Sequence, residues 1–150
     1  MLVLVDNTEE AKIPEIWESE EEKRLSDREL KKVCFSWALQ NLRGRAFVGK
    51  LEGTVIHVSR DGLGEWKTVT KSREQALSVK ILGVLSETSA FWKEEPPKKP
   101  DPNIEKVIYL RQHCRVNGHD YRAIITVKVY KSKGYRKYYH HYLDDFLLEP

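Results

Sequence analysis

Histidine, arginine, lysine and tyrosine gather in the last third of this 150-residue chain in a pattern that could handle a phosphodiester. Between Tyr121 and Leu143 stand six basic residues (Arg122, Lys128, Lys131, Lys133, Arg136, Lys137), no acid, and six of the seven tyrosines. Cations neutralise phosphates and aromatic rings stack on unpaired bases, so this composition suits single-stranded RNA. RNA carries its own nucleophile, the 2′-hydroxyl. A metal-free ribonuclease therefore needs a base of near-neutral pKa, an acid for the leaving 5′-oxygen and a cation for the pentavalent phosphorane. His113 and His141 are the candidates for base and acid, in either order, and Arg122 for the cation. Lys71, Tyr139, Thr126, Arg111 and Lys128 are candidate substrate contacts. Lys71 enters because it precedes a helix N-terminus, where phosphate binds readily.

The same residues have a plainer explanation, since antiparallel sheets often turn one polar face to water and Tyr, Thr and Arg are ordinary strand residues. Metal chemistry is poorly served. His140 and His141 are adjacent and point to opposite sides of a strand, and no HExxH or Cys/His ladder occurs, so neither metal nor cofactor is expected. The two glycine-rich turns match neither a dinucleotide fingerprint nor a P-loop.

The elements that must position these residues are legible from caps and periodicity. Ser26 and Glu29 form a capping box, with Leu25 and Leu30 as a hydrophobic staple, and Leu30, Val33, Cys34, Trp37, Ala38 and Leu42 recur at helical spacing; a helix is expected over 27–42, ending near Gly44. Residues 46–48 and 54–58 read as strands, 61–64 as a turn and 66–69 as a further strand. Ser72 and Gln75 open a second expected helix over 73–91, closed by Phe91 and Trp92. The prolines at 96, 97, 100 and 102 make a stiff exposed loop.

Residues 106–116 and 121–130 flank Asn117-Gly118, the strongest short hairpin signal. A two-residue loop sets Cys114 opposite Tyr121, Leu110 opposite Ile125 and Ile108 opposite Val127 on one face. The other face receives the pairs His113–Arg122, Tyr109–Thr126 and Val107–Lys128, with Arg111 between. A third strand over 136–143 returns through a turn near Gly134. A two- or four-residue connection sets Tyr139 opposite Thr126 and His141 opposite Ile124, on the His113 face; a three-residue loop exchanges them for Tyr138 and His140.

Charge is unevenly spread. Residues 1–29 hold ten acids and four bases, whereas the remainder carries a net charge of +9. An acidic lead-in over 1–25 ahead of one basic domain over 26–150 points to an anionic partner for the body, and the acidic segment 6–29 is expected to lie over the basic face and restrain it. Cys34 and Cys114 read as reduced, buried thiols, which with the absence of any long apolar run suggests a cytoplasmic protein with no membrane partner.

From Asn41 to Leu148 the chain resembles small nucleases of the barnase–EndoU–colicin–RelE (BECR) class, in the variants found within large polyvalent proteins of phages and conjugative elements. The matching stretches are Gly53-Thr-Val-Ile-His-Val-Ser-Arg-Asp-Gly-Leu-Gly, a helix with Ala76 and Leu85, the turn Val116-Asn117-Gly118-His119-Asp120-Tyr121, the strand Val127-Lys-Val, and Tyr138-Tyr139-His140-His141-Tyr142-Leu143. The class often ends in an aromatic-Xaa-His-acidic-Leu pattern, which places His141 as its histidine. The resemblance implies an α+β fold: N-terminal helices packed on a C-terminal antiparallel sheet of four to five strands, with an RNA site on the exposed face. It further implies a toxin-like endoribonuclease acting on RNA, tRNA among the candidates, and a cognate inhibitor or immunity protein. A non-catalytic RNA-binding domain, or a protein-interaction domain of mobile-element origin, is the alternative.

Overall fold

The computed structural model describes residues 12–50, 54–132 and 134–145. The helices are α1 (Asp27–Asn41), α2 (Arg60–Val69), α3 (Arg73–Ser78) and α4 (Leu82–Thr88). The strands are β1 (Glu15–Ile16), β2 (Ala46–Val48), β3 (Val55–His57), β4 (Ala90–Glu95), β5 (Ile104–Val116), β6 (His119–Tyr130) and β7 (Arg136–Asp145). A single helical turn, Glu20–Lys23, precedes α1, and a 3-10 turn, Val79–Ile81, joins α3 to α4.

Helix α1 forms where the capping box places it. The Ser26 hydroxyl accepts the Glu29 N–H at 3.1 Å and the Glu29 carboxylate accepts the Ser26 N–H at 3.0 Å. Its Leu30, Cys34 and Ala38 are buried, on a helix packed against α2, α3 and the 3-10 turn, while Val33 turns to solvent. The segment expected as a strand at 66–69 is instead the end of α2. Ser59 caps this helix by accepting the Gly62 N–H, and Leu63 and Trp66, one turn apart, are fully buried. Gly62 is pressed onto β7 so closely that a Cβ would stand 2.1 Å from the Tyr138 carbonyl oxygen. Tertiary packing of one face thus outweighs the poor helix propensity of two glycines. The expected helix over 73–91 is likewise broken into α3, the 3-10 turn and α4, and Phe91 and Trp92 lie on β4 rather than closing a helix.

The sheet has seven strands in the order β1-β5-β6-β7-β3-β2, with β4 also pairing β5. Its centre, β5-β6-β7, is antiparallel, but β1 joins β5 and β3 joins β7 in parallel. The expectation of four to five purely antiparallel strands is corrected on both counts. The parallel additions span two residue pairs each, too short to leave a periodic signature. One face of the sheet packs on the helices through Ile108, Leu110, Cys114, Ile125 and Val127, and this layer is the core.

The hairpin register is as the sequence requires, with His113 opposite Arg122, Tyr109 opposite Thr126 and Cys114 opposite Tyr121. Asn117 (φ 52°) and Gly118 (φ 80°) supply the two left-handed residues of a type I′ turn. β7 departs from expectation. Lys137 faces Lys128 and Tyr138 faces Val127, but a bulge then inserts Tyr139, so that His140 faces Thr126 and His141 faces Ile125. One extra residue reverses the facing of everything beyond it.

Candidate functional site

The bulge in β7 decides which histidine reaches the open face of the sheet. His141, expected beside His113, is turned into the core and is 0% exposed. Its ring stacks on Trp66 at 6.1 Å and bonds Ser78 Oγ through Nε2 and Tyr138 OH through Nδ1, both at 2.7 Å. The single proton of the Ser78 hydroxyl goes to the Gln75 carbonyl at 2.6 Å, so Ser78 accepts from His141 Nε2–H. Tyr138 then donates to Nδ1, and the neutral imidazole has both its positions filled. A proton on Nδ1 would meet a donor in a dry site. Burial therefore pulls the His141 pKa down to about 3, with the neighbouring His140 adding to the effect. The Ser–His–Tyr string has the bond lengths of a catalytic relay, but Ser78 is as buried as His141 and no substrate can approach.

His113 does lie on the open face, opposite Arg122. Its Nε2 is 2.7 Å from the Asp120 carboxylate, which also accepts from Arg115 Nε at 2.7 Å. Arg115 first, then His113, holds the Asp120 carboxyl below the usual range. The structure therefore separates the intended pair: the imidazoles of His113 and His141 are on opposite faces of one sheet. His140 is no replacement partner for His113. From the ladder the two stand about 13 Å apart along the strands and two strand spacings apart across them, too far to straddle one phosphodiester.

What the open face assembles instead is a groove of about 870 Å³. Its floor is Tyr109, Thr126, His140 and Tyr142 from the three central strands, and its walls are β4 and the proline-rich loop. Cations lie over its rings. Lys128 Nζ is 3.6 Å from the Tyr139 centroid, the Arg111 guanidinium 5.0 Å from Trp92, and Lys93 4.5 Å from Trp92 and 5.3 Å from Tyr109. Acids are present but engaged: Lys93 bridges to Glu95 at 2.9 Å. Of the sequence candidates, Thr126, Tyr139 and Lys128 line the groove and Arg111 flanks it over Trp92. Lys71 does not belong to it. It lines a separate depression of about 430 Å³ with Lys31 and Lys67, where burial first and the two neighbouring lysines next depress the Lys31 ammonium pKa.

Two atoms on the groove floor lack partners. Thr126 Oγ1 and His140 Nδ1 are buried and make no hydrogen bond to another residue, although the two residues face each other across β6 and β7. Burial lowers the His140 pKa, with Lys128 and Lys98 contributing and its own carbonyl and Glu65 opposing.

Sequence reasoning leaves out Trp92 and Tyr142 and carries His140 only as the three-residue-loop alternative. Trp92 was assigned to a helix end. For β7 a signal existed: Tyr138 and Leu143 both face the core, yet they are an odd number of residues apart, which strict alternation forbids. Only a bulge between them satisfies both.

A family model, large polyvalent protein-associated domain 3, matches residues 26–142. The chain belongs to that family. The matched span of this large polyvalent protein-associated domain opens at Ser26, the cap of α1, and closes at Tyr142 on the groove floor. It therefore takes in all four helices, the central strands and the groove, and leaves β1 outside. No curated protein and no solved structure matches the chain. Among the described residues, no helix is long and apolar enough to cross a membrane, and no three His, Cys, Asp or Glu residues are grouped to hold a metal ion.

Proposed function

We propose that the groove on the open face of the sheet binds single-stranded RNA. The observation that carries the reading is the interleaving of cations with aromatic rings. Lys128 over Tyr139 and Lys93 over Trp92 line one groove of about 870 Å³, and Arg111 flanks it over Trp92. Bases stack on such rings while the ammonium and guanidinium groups meet the phosphates between them. A duplex is disfavoured, because its bases are already stacked on each other and cannot reach rings recessed in a trough. Binding rather than cleavage is proposed, because cleavage needs two proton-transfer groups at one phosphate and His113 and His141 are not brought together. The nuclease resemblance retains its weight for the location of an RNA site, and an inhibitor protein of the kind it implies would have to cover this trough.

The test is fluorescence anisotropy with a labelled unstructured RNA in EDTA, across a salt series. The Arg111→Ala/Lys128→Ala variant is expected to bind about tenfold more weakly at moderate salt. Its log–log salt slope should be shallower by about 1.4, two phosphate contacts having been lost. Absence of RNA retention at low salt, or a double variant indistinguishable from wild type, rejects the proposal. A shortened RNA recovered from the EDTA reaction would extend it to catalysis.

A further inference from the structure

Thr126 and His140 are hard to explain as structure alone. A buried hydroxyl without a partner costs free energy that valine, of nearly the same shape, would not. Thr126 is 4% exposed, its hydroxyl makes no bond, and the imidazole directly across the strands is also unbonded to other residues at Nδ1. Natural sheets satisfy such atoms in the great majority of cases, so a facing pair of orphans is an anomaly. Both residues line the same groove, and three rings border them: Tyr109 opposite Thr126 on β5, Tyr139 at 4.7 Å from the His140 ring, and Tyr142 on β7.

We infer that this pair reads the hydrogen-bonding edge of one unpaired nucleobase, which inserts between the tyrosines and satisfies both atoms. The inference rests on the RNA reading above and adds a base-specific subsite to it. Each nucleobase presents a donor beside an acceptor on its Watson–Crick edge. The threonine hydroxyl can donate or accept, and the imidazole Nδ1 can do either according to tautomer. The two atoms belong to side chains directly opposite on adjacent strands, with Cβ atoms about 5 Å apart, so that one base edge can meet both. Lys128, over the Tyr139 ring, supplies a cation beside the pair for a flanking phosphate. A site built of buried polar groups discriminates strongly, because a wrong edge leaves them unpaired again.

The experiment compares short oligo-A, oligo-C and oligo-U binding to the full chain by anisotropy, for wild type, Thr126→Val and Thr126→Ser. Wild type is expected to prefer one oligonucleotide about tenfold. Thr126→Val should remove that preference, bringing the favoured oligonucleotide down to the affinity of the others, and Thr126→Ser should restore it. Without RNA, Thr126→Val should melt a few degrees higher than wild type, since an unsatisfied group has gone. Equal binding of all three oligonucleotides by wild type, or a preference that survives Thr126→Val, overturns the inference and leaves the RNA reading standing. Failure of every oligonucleotide to bind at low salt overturns both.

Discussion

His141 offers a pH experiment whose sign and size follow from its surroundings. In the unfolded chain its imidazole titrates near 6.5, whereas in the fold burial holds it at about 3. Above pH 6.5 both states are neutral at this site and its contribution to stability is fully present. As pH falls below 6.5 the unfolded chain takes up a proton that the folded chain refuses, and stability is lost progressively until about pH 3. At pH 5 the unfolded ring lies 1.5 units below its pKa and the folded ring is still neutral, so the loss is about 2 kcal/mol at 1.36 kcal/mol per unit. That is a sizeable share of the ~5–15 kcal/mol available to a small domain. Urea unfolding at pH 7 and pH 5, on wild type and His141→Gln, isolates the effect because every other titrating group is common to both. Wild type should lose about 2 kcal/mol more than the variant over this interval. Equal losses would refute the closed Ser78–His141–Tyr138 string as the environment of a permanently neutral imidazole.

Gly62→Ala should destabilise by about 2–4 kcal/mol, because its Cβ meets the backbone carbonyl of Tyr138, which cannot swing aside without moving β7; an unchanged urea midpoint would contradict this close approach. Arg73→Ala removes donors to the Leu25 carbonyl at 2.7 Å, the Glu22 carbonyl at 2.9 Å, Asp27 at 3.0 Å and Glu18, and should cost about 2–3 kcal/mol. Amide exchange should then quicken at Arg115 and Asn117, whose N–H groups donate to Pro14 and Ile16, while the β5–β6 ladder keeps its protection.

Legibility tracked the range of the forces at work. The α1 cap and the β5–β6 register are local: a hydroxyl three residues from a glutamate, and two left-handed residues flanked by matched apolar alternation. Both could be written down from the sequence and both are found. The parts that were not legible are settled by distant packing. α2 is helical because Leu63 and Trp66 need one burial site under β7, although a run of Gly, Thr and Val suggests turn and strand. Phe91 and Trp92 follow a helix in sequence but are drawn onto the outer edge of β5. On the open face, Arg111, Thr126 and Lys128 lie where the hairpin register puts them, whereas the two adjacent histidines exchange faces on one inserted residue.

The acidic lead-in shows the same dependence on packing, and it bears on the groove. Excess carboxylates ahead of a basic body suggest a segment lying across the basic face, and the described part of that segment does otherwise. β1 docks at the far end of β5, Trp17 covers the hairpin turn at Gly118, Glu18 and Asp27 pair with Arg73, and Glu22 pairs with Lys80. Arg73 opens α3 and Lys80 sits in the turn that follows it, both in the layer that covers the core face. The three carboxylates are thus neutralised on the helical side, with Glu22 pulled below the ordinary carboxylate range as Lys80 and the Ser19 cap outweigh the cost of burying it. Glu18, Glu22 and Asp27, engaged there, take nothing from the field of the groove's cations. In an open trough that field acts at the range of a Debye length, about 8–10 Å, and is directed at whatever anion the trough admits.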